Sequence, residues 1–343
     1  MDNKIVRARA PLRLGLAGGG TDLSPYCDRH GGAVLNVTIN RYASATIETS
    51  PDGLVHFVAP DVPERENFFP EMDLNTANLR LHAGVCVRMC ELYNQGVVPA
   101  VTVTSYVDAP PGSGLGSSSA LVVAMVSAWA EWFGATMGPY DVAHLAWQIE
   151  RQDLGLAGGK QDQYAATFGG FNFIEFHAQD RVIVNPLRVQ TDILHELDSS
   201  MVICFSGVSR SSATIIQQQQ EAITVSTGTA LSNTHKMKQD ALDMRQALVR
   251  GDVRLMATIL NRSWQAKKQT AQGISTKRIE QLYDAAFAAG AMGGKVSGAG
   301  GGGFLMFMVP PQQRMQVIEA LVSLGGVAGG AHFVMEGAHS WSP

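Results

Sequence analysis

Between a β-patterned run over residues 101–107 and a helix-forming run over 117–133 lies Pro110-Pro-Gly-Ser-Gly-Leu-Gly-Ser-Ser-Ser-Ala120. Glycine at three alternate positions lets the backbone turn its N–H groups toward one point, a concave nest for an anion. The serines that follow begin the helix. Its unpaired first-turn N–H groups and the positive end of its dipole therefore face the same point. A strand, a nest and a helix in that order put a phosphate-type group at the end of a sheet strand. The loop holds no lysine, so it is not a Walker A loop, and Ser117 stands where the dinucleotide fingerprint needs its third glycine.

The rest of the chain alternates strand and helix patterns. Periodicity predicts strands over 5–16, 33–39, 42–48, 54–58, 101–107, 171–176, 182–186, 201–205, 292–297, 303–309 and 332–335. Helices are expected over 75–93, 117–133, 140–153, 212–223, 230–250, 253–269, 276–289 and 312–324. The polar run 217–220 reads as a solvated helix face. With 343 residues and 45% of them hydrophobic, there is material for two cores, and the fold class is α+β with a boundary near 187–199. His82, Cys86 and Cys90 share a helix face, where buried free thiols are the expectation ahead of a metal site.

Net charge and hydropathy narrow the partners. A formal charge of −4 argues against nucleic acid or an anionic membrane as the main partner, since both need clustered positive charge. The longest apolar run, residues 120–130, falls well short of the roughly 20 residues of a membrane span. No apolar signal core opens the chain, so a cytoplasmic location is expected. Oligomeric state, including a homo-oligomer, stays open.

The glycine loop resembles the second motif of the GHMP kinases. Arg9-Ala-Pro-Leu-Arg-Leu-Gly-Leu-Ala-Gly-Gly-Gly-Thr-Asp22 is similar to the first motif, and Lys295-Val-Ser-Gly-Ala-Gly-Gly-Gly-Gly-Phe304 to the third. The resemblance implies a two-domain fold: an N-terminal ATP-binding α/β domain with a left-handed βαβ crossover, here 1–187, and a ferredoxin-like C-terminal domain, 188–343. It also implies a small-molecule kinase with ATP and Mg as cofactors. Pro110, Gly112, Ser113, Gly114, Leu115, Gly116, Ser117, Ser118 and Ser119 would bind ATP. Gly155-Leu-Ala-Gly-Gly-Lys-Gln-Asp-Gln-Tyr164 resembles the segment with the catalytic aspartate, which gives that role to Asp162, with Arg13 as its basic partner. Ser118 and Glu150 would hold the metal.

For the acceptor, Gly18-Gly-Gly-Thr-Asp-Leu23 resembles the first motif of bacterial D-glycero-D-manno-heptose 7-phosphate kinases and of fucokinase-like relatives. That implies a sugar phosphate met by Gly19, Gly20, Thr21, Asp22 and Gly300. Lys160, Arg210 and Lys268 are the candidates for its distal phosphate. A fucokinase-like activity, or a sugar- and ATP-binding sensor without turnover, remains open.

Overall fold

The computed structural model describes residues 4–62, 64–209, 212–224 and 228–343. Arg210 lies outside the described residues. The strands are β1 (Ile5–Ala17), β2 (Gly32–Thr49), β3 (Val55–Ala59), β4 (Glu64–Phe68), β5 (Val101–Val107), β6 (Phe171–Phe176), β7 (Val182–Pro186), β8 (Met201–Phe205), β9 (Gly293–Val296), β10 (Phe304–Met308), β11 (Val327–Gly330) and β12 (His339–Trp341). The first sheet runs β12-β1-β2-β5-β3-β4, with β6 and β7 continuing from the other part of the long β2. Among its pairings only β3 with β5 is parallel.

Helix Ser117–Phe133 is apolar nearly all round, and such a helix must be covered on every side. It packs on β1 and β2, where Leu12, Leu14, Leu35, Val37, Val122 and Trp129 are fully buried. Alternation along β1 sends Leu12, Leu14 and Leu16 to one face of the strand and Arg13 and Gly15 to the other. Strand alternation thereby points Arg13 away from the helix-covered face, toward the second sheet.

The second sheet has the order β11-β8-β10-β9, all antiparallel. Numbered along the chain this is 4-1-3-2. With helices between β8 and β9 and the helix Arg314–Ser323 between β10 and β11, it is the ferredoxin-like arrangement. β12 then returns to the first sheet and pairs with Arg7–Arg9 of β1.

Several elements depart from their sequence patterns. The runs 33–39 and 42–48 are one strand, β2, bent by a bulge where the register shifts between Pro11 and Leu12. No strand forms over 332–335. There Phe333 makes a single bridge to Ile39, and the pairing falls to β11 and β12. The stretch 187–199, read as a boundary, contains helix Thr191–Ser200, anchored by buried Leu197. The expected helix 140–153 is Pro139–Gln148 followed by a π-helical turn, Ile149–Asp153, closed by Leu154 N–H donating to Ile149 O at 3.0 Å. Among the described residues no helix is long and apolar enough to cross a membrane.

Candidate active site

Gly112, Gly114 and Gly116 have φ of 70°, 77° and 74°, and the residues between them, Ser113 and Leu115, are fully buried. The loop therefore anchors itself by Ser113 and Leu115 and presents glycine backbone outward. Left-handed φ at 114 suits glycine, and space demands it as well, because a Cβ there would lie 2.4 Å from Ser297 O. Helix Ser117–Phe133 starts directly after Gly116 with no side chain capping its first turn. The exposed hydroxyl of Ser118 stands at the same place.

Across from the nest, Arg13 closes on Asp162. Its Nε and Nη2 donate to Oδ1 of Asp162 at 2.8 and 2.7 Å, and Nη1 donates to Gly114 O at 2.6 Å and to Ser297 Oγ at 3.3 Å. One guanidinium thus joins β1, the nest, the loop after β9 and Asp162, using the fork that suits arginine to a carboxylate. Asp162 sits in the first turn of helix Gln161–Phe168. The start of that helix is pinned by Asp22. Its Oδ2 accepts from Lys160 N and Gln161 N, both at 3.1 Å, and its Oδ1 from Gly20 N at 3.0 Å and Gln161 Nε2 at 3.1 Å.

Glu150 lies in the π-helical turn and is 1% exposed. Its Oε2 accepts from Gln163 Nε2 and stands 3.7 Å from Arg151 Nη2. Arg13, Asp162, Ser118 and Glu150 all line one cavity of about 340 Å³, together with the three loop glycines. A second cavity of about 300 Å³ has mainly apolar walls, including Val62, Leu79, Leu81, Val107 and Leu121, and shares Ser117, Ser118 and Leu156 with the first.

Residues 80–170 match the GHMP kinases N terminal domain and residues 244–327 match the GHMP kinases C terminal domain. The D-glycero-alpha-D-manno-heptose 7-phosphate kinase of Campylobacter jejuni is 41% identical over 98% of this chain and 99% of its own. This chain belongs to the GHMP kinase family. A crystal structure of a D-glycero-D-manno-heptose 1-phosphate kinase from Bacteroides thetaiotaomicron superposes with a TM-score of 0.82, at 43% identity over 98% of each chain. The L-fucokinase/L-fucose-1-P guanylyltransferase of Bacteroides fragilis is 25% identical over 93% of this chain and 36% of its own length. As a member of the family this GHMP kinase is a small-molecule kinase with ATP as its phosphoryl source.

The cavity of this GHMP kinase also includes Gly19, Gly20 and Asp22. Several expected site residues lie elsewhere. Pro110, Ser113 and Leu115 shape the loop but do not line the cavity. Thr21 is buried, with Oγ1 donating to Ala33 O at 2.9 Å and accepting from Ala33 N at 3.0 Å, so its hydroxyl fastens the first motif to β2. Gly300 packs against Ile274, and Gly298 and Ala299 take the cavity wall instead. Lys160 turns away: its Nζ is 2.5 Å from Asp180 Oδ1 and lies over the Trp147 ring. Lys268 pairs with Glu280 at 3.3 Å.

Other residues reach the cavity to which the motifs gave no role. Lys267, Lys295, Arg151 and Gln161 line it. Gln219, inside the polar run read as a solvated face, is buried, donates to Thr270 Oγ1 at 3.1 Å and also lines the cavity. His82, Cys86 and Cys90 are buried in the first core, where burial pushes the His82 imidazole down to about 4.

Proposed function

We propose that this GHMP kinase transfers the γ-phosphoryl group of Mg-ATP to the anomeric hydroxyl of D-glycero-D-manno-heptose 7-phosphate, a step toward nucleotide-activated heptose for surface polysaccharide. The observation that carries the transfer chemistry is the Arg13–Asp162 pair facing the glycine nest across one cavity. The sugar phosphate rests on the similarity to the Campylobacter jejuni heptose 7-phosphate kinase over essentially the whole of both chains.

The phosphates of ATP fit the nest and the open first turn of helix Ser117–Phe133. The apolar second cavity, joined to the first at Ser117, Ser118 and Leu156, fits the adenine ring. Asp162 takes the proton of the attacking hydroxyl as general base. Arg13 orients that carboxylate and lies within reach of charge developing on the transferred group. The donor set also fits Mg²⁺, which takes oxygen ligands and few of them from protein. Ser118 offers an exposed hydroxyl and Glu150 a carboxylate at the cavity wall, beside the nest. Bound there, Mg²⁺ would neutralise phosphate oxygens of ATP.

The test is ADP release over heptose 7-phosphate, mannose 6-phosphate, fucose, galactose and mevalonate, followed by phosphorus NMR of the product. An anomeric phosphate on the heptose 7-phosphate is the expected result. Free fucose outperforming the heptose phosphate would move the assignment to the fucokinase branch represented by the Bacteroides fragilis protein. Binding of ATP and sugar with no ADP at any Mg²⁺ concentration would replace the kinase reading with a sensor.

A further inference from the structure

Two ammonium groups at the cavity lack a carboxylate partner. Lys267, in the last turn of helix Val253–Lys268, donates to Gly298 O at 2.5 Å and Gly19 O at 3.5 Å. Lys295, in β9, donates to Gly15 O at 2.6 Å. Among the described residues neither forms an ion pair. Other buried cations here do: Arg13 has Asp162 and Lys160 has Asp180.

Burying an ammonium ion without a counter-charge costs several kcal/mol, and placing two together adds repulsion. The charges facing Lys267 are Asp22, Arg13 and Asp162, and those facing Lys295 are Lys267, Arg13 and Asp240. Each of these carboxylates is already engaged. Asp162 holds Arg13, Asp22 accepts four N–H groups, and Asp240 pairs with Arg262 at 2.6 Å. Tying down glycine carbonyls needs no charge, since a neutral donor would serve. A pair of buried cations with carbonyl partners only, on the wall of a phosphotransferase cavity, is complementary to a dianion that enters with the reactants.

We infer that Lys267 and Lys295 form a second anion seat, in the same cavity as the Arg13–Asp162 pair, for a phosphoryl-type dianion. The inference rests on the kinase reading. Two sources share this chemistry: the phosphoryl group in transfer, and a phosphate already carried by the acceptor. Burial lowers Lys267 to about 8, with Arg13 adding to the effect and Asp22 and Asp162 opposing it. Burial, with Lys267 and Arg13 beside it, also holds Lys295 well below the ordinary lysine value. An anion in contact raises both again, so at pH 8, where free phosphate is mainly the dianion, the seat takes up protons on binding.

The experiment titrates inorganic phosphate calorimetrically into the full-length protein saturated with MgADP, so that the nest is filled. Loss of one charge-assisted contact in Lys267→Met or Lys295→Met weakens phosphate binding about tenfold or more. Lys267→Arg retains binding within roughly threefold, because the charge is kept. In the wild-type protein, proton uptake at pH 8 follows from the dependence of the heat on buffer ionisation. That readout needs no variant and is not moved by a merely structural lysine. Repeating the titration with a non-hydrolysable Mg-ATP analogue separates the sources. Binding that persists assigns the seat to the acceptor's own phosphate, and binding that disappears assigns it to the transferred group. Equal phosphate affinity in wild type and Lys267→Met, or no proton uptake at pH 8, would overturn the inference. Because no sugar is present, failure of the heptose assignment leaves this result untouched.

Discussion

The four hydrogen bonds on the buried Asp22 carboxylate make it a fastener for the helix that carries Asp162. A carboxylate has about four lone-pair sites, so these donors leave none to address a sugar hydroxyl at full strength. Asp22→Asn keeps size and shape but turns one oxygen into a donor. Whichever way the amide faces, at least one of the two oxygen positions now presents N–H to N–H. With the amide nitrogen at the Oδ1 position the Gln161 side chain flips to accept from it, so the cheaper orientation loses one charge-assisted bond, that from Gly20 N, at roughly 1.5 to 3 kcal/mol. For an unfolding unit of about 200 residues that corresponds to a fall in Tm of roughly 3 to 12 °C. The same change loosens the start of helix Gln161–Phe168, and a shift of about 1 Å at a catalytic group costs on the order of 100-fold in rate. Thermal melting followed by circular dichroism, alongside kcat and KM for ATP and sugar, separates the possibilities. The positioning role predicts lower Tm and lower kcat together. A variant that melts within about 1 °C of wild type, keeps kcat and loses only sugar affinity would refute this reasoning and make Asp22 a direct sugar ligand.

Three further outcomes are expected. Asp162→Asn should lower kcat by about 100- to 10,000-fold with little change in ATP affinity, and Arg13→Ala added to it should cost much less than Arg13→Ala alone, because the pair acts as a unit. In single-turnover assays over a Mg²⁺ titration, Glu150→Gln should shift the midpoint to higher Mg²⁺ by roughly tenfold, the worth of one charged ligand. Lys160→Met should leave KM for a sugar phosphate within about twofold, because its ammonium faces Asp180 rather than the cavity, while lowering Tm by a few degrees through the lost ion pair.

The parts of this molecule that were legible in its sequence are those whose cause is local. Alternate glycines between a strand and a helix announce a nest wherever they occur, and strand 101–107 and helix 117–133 fall on the residues their patterns indicate. Arg13 was legible only through the resemblance of the first motif, since strand patterning alone also fits an ordinary surface arginine. What escaped was set at a distance. Helix Gln161–Phe168 has no capping residue of its own, and its first N–H groups find their acceptor in Asp22, 138 and 139 positions earlier. Lys267 and Lys268 are adjacent and chemically equal. The 100° turn between neighbours on a helix sends one into the cavity and the other to Glu280; Lys267 continues the buried stripe of Leu260, Ser263 and Trp264, and Lys268 lies at its edge. Gln219 looks like its exposed neighbours 217 and 218, and only the packing of its helix over the cavity buries it.

The contact between the glycine nest and the loop from β9 to β10 is main chain against main chain. A Cβ at Gly298 would lie 2.7 Å from the α-carbon of Gly114, and one at Gly303 would lie 2.3 Å from Ser113 O. At an ordinary packing interface a bulkier residue on one side can be balanced by a smaller one opposite. Here there is nothing smaller to change to, because the opposing atoms belong to the backbone itself. Substitutions at these positions therefore have no compensating partner, and the seam between nest and loop can be kept whole or lost, but not gradually rebuilt. A laboratory evolution experiment that randomises residues 114, 217, 218, 298 and 303 together and selects for activity should return glycine at 114, 298 and 303, while 217 and 218 drift freely.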